Sequence, residues 1–118
     1  MEDTQLLQTI IEGIQEKKGH YITTVDLTNI ESASTRYFVI CQGNSTSQVE
    51  AIADSVREYT RKQTGVKPYG YEGYRNAQWI IIDYGTIFVH IFLPETRNFY
   101  RLEQLWSDAK LTAIADME

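Results

Sequence analysis

The 118-residue chain has one cysteine, two prolines and two histidines. A single cysteine excludes an internal disulfide framework and suits a reducing compartment. No apolar run approaches the ~20 residues that a membrane-spanning helix needs. The opening "MEDTQLLQ" lacks a basic stretch ahead of an apolar core, so no secretory signal is expected and a cytoplasmic location is. Basic residues are scarce as well: 11 Lys and Arg stand against 16 Asp and Glu, a net charge of −5. That balance argues against binding dominated by nucleic-acid phosphates and suits a basic partner. There is no G-x-x-x-x-G-K-[ST], no G-x-G-x-x-G, no internal repeat and no linker rich in Pro or Gly. The length fits one domain over 1–118, with 109–118 read as a poorly defined tail.

What is present is periodicity. Leu6, Leu7, Ile10, Ile11 and Ile14 recur at helical spacing, predicting a helix over 4–18 capped by Asp3 or Thr4. "HYITTVDLT" reads as a strand, and "RYFVICQ" as a nearly continuous apolar central strand. Val49, Ile52, Ala53 and Val56 give the buried stripe of a second helix over 46–63, which Gly65 ends. "ETRNFYRLEQLW" predicts a third helix, with Phe99, Leu102, Leu105 and Trp106 at helical spacing.

The strongest β signal is the pair "AQWIIID" and "TIFVHIF" joined by "YG". A two-residue loop at Tyr84 and Gly85 pairs Asp83 with Thr86, Ile82 with Ile87 and Ile81 with Phe88. One face of this hairpin is then aliphatic: Ile80, Ile82, Ile87, Val89 and Ile91. The other mixes Trp79, Ile81, Asp83, Thr86, Phe88, His90 and Phe92. The first belongs under helices; aromatics interspersed with a few polar groups are what an interface core looks like. The order of elements gives an α/β domain: a mixed sheet of about five strands with three helices mainly on one face.

The corner "QGNSTSQ" is the one place that suggests a phosphate cradle, because a helix N-terminus after a glycine turn attracts anions. Ser45 and Gln48, however, have capping-box spacing, which uses the same N–H donors internally. Nucleotidyl transfer also needs two carboxylates pointing the same way, as Asp-x-Asp or Asp-x-Glu in a strand. No predicted strand carries that pair. Cys41 with His20 and His90 has no motif spacing for a thiol–imidazole pair or a metal site.

"RYFVICQGNSTSQVEAIAD", "YEGYRNAQWIIIDYGTIFVHIF" and "ETRNFYRLEQLW", in that order, resemble the ribosomal silencing factor (Iojap-like) family over nearly the whole chain. The resemblance implies a fold like that of nucleotidyltransferases without the catalytic residues, no cofactor and no catalysis. It implies binding to a large-subunit ribosomal protein on the intersubunit face, blocking small-subunit joining and repressing translation when nutrients run short. It also implies a homodimer in the free state and little or no direct nucleic-acid binding. The competing reading is a nucleotidyltransferase-like enzyme acting on a nucleotide. Combined with the hairpin pattern, the family role assigns docking to Trp79, Ile81, Asp83, Phe88 and His90, with Tyr71, Glu72 and Tyr100 at the rim.

Overall fold

The apolar stripe at the start of the chain forms helix α1 (Asp3–Glu16) in the computed structural model, which describes residues 2–106 and 108–116. The N-cap is Glu2, without a side-chain cap bond. Asp3 serves elsewhere: it accepts from Thr86 Oγ1 at 3.1 Å and pairs with Arg36 Nε at 3.2 Å, tying the start of α1 to the hairpin turn. Strands β1 (His20–Asp26) and β2 (Tyr37–Gln42) follow, then helix α2 (Thr46–Thr64).

The corner into α2 closes on itself. The Gln48 N–H donates to Ser45 Oγ at 3.1 Å, and Gln48 Oε1 accepts from the Asn44 N–H at 2.7 Å. The return bond thus goes one residue further back than the usual box. Gln48 Nε2 also reaches the carbonyls of Lys17 and Lys18, which joins the start of α2 to the end of α1.

The second half supplies β3 (Gly70–Glu72), β4 (Trp79–Asp83), β5 (Ile87–Phe92) and the short helix α3 (Pro94–Tyr100). The expected long third helix does not form. Arg101 takes a left-handed conformation (φ 47°) and ends α3, and the chain continues as a 3₁₀ turn over Leu102–Leu105. Phe99 and Leu105 consequently lie in solvent, whereas Leu102 and Trp106 turn inward. The stretch expected to be a tail also contains a sixth strand, β6 (Lys110–Ile114).

The sheet order is β3-β4-β5-β2-β1-β6; β2 and β5 run parallel and every other pair is antiparallel. The hairpin register differs from the expectation by two residues. Asp83 pairs with Phe88 and Ile81 with His90, because the loop is Gly85–Thr86 and not Tyr84–Gly85. Gly85 takes φ +83°, which the first position of such a loop requires, and the Tyr84 N–H donates to the Ile87 carbonyl. A two-residue shift leaves side-chain parity intact, so both faces keep the composition read from the sequence.

Two helices, not three, cover the aliphatic face. Ile80, Ile82, Ile87, Val89 and Ile91 are fully buried in one cluster with Ile10, Ile14, Val49, Ile52 and Val56 from α1 and α2. Each such burial stabilises by about 1.5–3 kcal/mol. The helices approach closely at Gly13, where the Ser55 hydroxyl donates to the Gly13 carbonyl at 2.7 Å. On the other face, a smaller cluster of Val25, Leu27, Ile40 and Phe92 is covered by Leu102, Trp106 and the 27–35 loop through Ile30 and Ala33.

A bulge in β1 brings these parts together. Tyr21 adopts φ +50°, a left-handed conformation that costs a non-glycine residue about 1–2 kcal/mol. Its freed carbonyl accepts from Arg97 Nη1 at 2.7 Å, and its N–H donates to Asp116 Oδ1 at 3.0 Å. Arg97 is itself buried and also bonds Thr23, Gln42 and Glu103.

Candidate functional site

The second face of the sheet divides in two. Toward β1 it is roofed by the 3₁₀ turn and the 27–35 loop. Toward β3 it is open, leaving a groove of about 360 Å³ lined by Tyr69, Glu72, Ile81, Asp83 and Phe88 with the β3 backbone. The register explains the grouping. Glu72 pairs with Ile81 and Gly70 with Asp83, so Glu72 and Asp83 are diagonal neighbours on one face. Two carboxylates thus sit around an apolar floor with no cation among the groove residues. Asp83 uses Oδ1 to accept the Gly85 N–H at 2.7 Å, which fixes the turn and orients the carboxylate.

The wall between the open and roofed halves is aromatic. Trp79 stacks on Phe92 (4.9 Å, 24°) and lies 4.7 Å from the Tyr100 ring. Its indole N–H donates to His90 Nδ1 at 3.1 Å. An Nδ1 that accepts belongs to a neutral ring carrying its proton on Nε2. His90 is only 4% exposed, Phe38 meets it edge-on at 4.8 Å, and burial pushes its pKa down to about 4. Its Nε2 is buried without a partner among the described residues.

This geometry sorts the residues named from the sequence. Ile81, Asp83, Phe88 and Glu72 come together around the groove. Trp79 and Tyr100 lie beside each other and are not among the residues that line the groove; Tyr100 is about half exposed. His90 shares the face but is no contact residue: it lies beneath the surface as the acceptor that holds Trp79. Tyr71 pairs with Ile82, so its side chain leaves by the opposite face, where its ring receives the Arg57 guanidinium at 3.7 Å. Tyr71 is nonetheless among the residues that line the groove.

Two residues escaped sequence reasoning. Phe38 joins the face because β2 pairs with β5 in parallel, Phe38 beside Phe88, and a parallel pairing leaves no local signal. Tyr69 is 84% exposed and lies over Gly85, close enough that a Cβ there would meet its ring at 2.8 Å. It follows Pro68 in the glycine-rich "KPYGYEGYRN", which the sequence marks only as a weak edge strand.

Cys41, His20 and His90 do not come together. Cys41 pairs with Ile91 on the helix-covered face, away from His90, and burial pushes its thiol up to about 12. His20 pairs with Asp116 at 3.2 Å instead. Among the described residues no three His, Cys, Asp or Glu side chains gather as a metal site would need. At the start of α2 the Gln48 N–H is taken up by Ser45 and the Asn44 N–H by the Gln48 side chain.

Comparison with known proteins gives the family of the chain. The family model described as "Ribosomal silencing factor during starvation" matches residues 1–118. The chain belongs to the ribosomal silencing factor family. It is 37% identical over 109 residues to a ribosomal silencing factor of Halalkalibacterium halodurans, covering 92% of each chain. It is 34% identical to that of Bacillus subtilis over 97% of this chain and 95% of the relative. A mouse protein named for mitochondrial assembly of the ribosomal large subunit is 37% identical over 72% of this chain and 40% of its own. A crystal structure of a Chromobacterium violaceum protein superposes with a TM-score of 0.84 at 33% identity, over 91% of this chain and 88% of that one. No described helix is long and apolar enough to cross a membrane.

Proposed function

We propose that the protein binds a basic protein of the large ribosomal subunit at the intersubunit surface and thereby sterically blocks joining of the small subunit, which represses translation under nutrient limitation. The observation that carries this reading is the groove itself. It has an apolar floor of Ile81 and Phe88, an exposed Tyr69 and two carboxylates, Glu72 and Asp83, on the uncovered half of the sheet. Aromatic anchors in a desolvated centre supply affinity, while an acidic rim against a basic partner supplies orientation and speed of encounter. The action needs no bond chemistry; it needs a rigid body in the space the small subunit takes up.

The rigidity comes from behind the face. Five aliphatic side chains anchor β4 and β5 to α1 and α2, and the Trp79–His90 bond with the Phe92 stack holds the aromatic wall. A homodimer of the free protein that uses the same groove would compete with the ribosome for it. Co-sedimentation with purified large subunits tests the reading. Wild type is expected in the pellet, and a Glu72→Lys/Ile81→Arg variant of unchanged melting temperature in the supernatant. Pelleting of both to the same extent would remove the groove from the account.

A further inference from the structure

On the far side of β3 from the groove, α2 and the segment 67–71 enclose a second cavity of about 430 Å³. Arg57, Arg61 and Lys67 line it together with Asp54, Glu58 and Tyr71. The two carboxylates are engaged. Asp54 accepts from the Tyr74 hydroxyl at 2.9 Å and lies 3.8 Å from Arg57 Nη1; Glu58 holds Lys62 Nζ at 3.0 Å. Arg61 and Lys67 form no ion pair among the described residues.

Arg57 is the fixed point. Its guanidinium lies flat on the Tyr71 ring at 3.7 Å, and Nη1 donates to the Tyr74 hydroxyl at 3.3 Å. Apart from that bond the guanidinium donors make no hydrogen bond among the described residues; Nε is buried, so the donors open to a ligand are those of the two terminal nitrogens. A planar, oriented and under-satisfied guanidinium beside two unpaired cations matches a group with several acceptor oxygens and more than one negative charge. We infer that this cavity binds a phosphate group between Arg57, Arg61 and Lys67. The group would be carried either by a small phosphorylated compound or by an RNA backbone. The inference does not rest on the docking role of the groove, although Tyr71 lines both cavities. One local phosphate contact is compatible with the acidic whole, because screening confines surface charges to about 8–10 Å.

The test is a titration of isotope-labelled protein with sodium pyrophosphate at constant ionic strength, followed by amide resonances. A parallel arm uses a short single-stranded RNA. Pyrophosphate is expected to shift amides of residues 57–61 and 67–71. The exposed double variant Arg61→Gln/Lys67→Gln is expected to bind about tenfold more weakly, while Ile81→Arg in the groove leaves the titration unchanged. Saturation by pyrophosphate without RNA binding assigns a small phosphorylated ligand; RNA shifts at the same amides, lost in the double variant, assign a backbone phosphate. The inference is overturned if neither probe moves these amides, if the double variant responds like wild type, or if sodium chloride at matched ionic strength produces the same shifts.

Discussion

Acidifying the protein from pH 7 to pH 4 should destabilise it by a definite amount through His90 alone. In the folded chain His90 is buried and neutral with its pKa pushed down to about 4, while the unfolded chain has the ordinary value near 6.5. As pH falls through 6.5 the unfolded state takes up a proton and the folded state does not, so stability declines down to about pH 4. Above 6.5 neither state binds the proton and this group contributes no pH dependence. The 2.5-unit gap, at 1.36 kcal/mol per unit and with half-protonation at pH 4, amounts to about 3 kcal/mol. The proper comparison is with His90→Gln, whose amide oxygen can still accept from the Trp79 N–H but does not titrate. Urea unfolding of both chains between pH 4 and 8 should show the stability difference constant above pH 6.5. Below that, wild type should lose about 3 kcal/mol relative to the variant by pH 4. Carboxylates titrate in both chains and cancel in the difference. Parallel curves across the range would refute the buried neutral histidine.

Three further substitutions test the framework. Ser45→Ala removes the acceptor for the Gln48 N–H and should cost about 1 kcal/mol in chemical denaturation. Arg97→Met leaves Glu103 and the Tyr21 carbonyl without their buried partner and should cost about 3–5 kcal/mol, read as a lowered melting temperature. Gly73 sits at φ +99° with the Trp79 carbonyl 2.0 Å from where a Cβ would be. Gly73→Ala should therefore cost about 1–3 kcal/mol from backbone strain alone, with more from the clash, and amide exchange should quicken first in β3 and β4.

Much of this architecture was legible where one periodicity ran unbroken. The stripe of α1, the stripe and cap of α2 and the two contrasting faces of the hairpin each follow from local spacing, and the faces survived a loop placed one residue too early. What was not legible depends on partners distant in sequence. β6 is an edge strand whose side chains stay mostly exposed, so Lys110–Ile114 carries no burial pattern; it is placed by pairing with β1, Lys110 opposite Asp26. The third helix kept helical spacing through Trp106, yet Arg101 turns left-handed, which lets Leu102 and Trp106 reach the Ile40–Phe92 cluster.

The candidate site shows the same division. Ile81, Asp83 and Phe88 follow from hairpin alternation, whereas Glu72 enters only through the block "YEGYRNAQWIIIDYGTIFVHIF" of the family resemblance. Tyr71 lines the groove, but the pairing of β3 with β4 also turns its ring toward Arg57, which local spacing does not show. His90 was on the right face but at the wrong depth: the sequence does not reveal that Trp79, Phe38 and Phe92 close around it.

Joining of purified small and large subunits, followed by light scattering, tests the central claim most directly. Wild-type protein preincubated with large subunits should suppress the rise in scattering in a dose-dependent way. Glu72→Lys/Ile81→Arg, with an unchanged melting temperature, should let joining proceed as it does without the protein. Unimpeded joining with wild type, or equal suppression by the variant, would contradict the account.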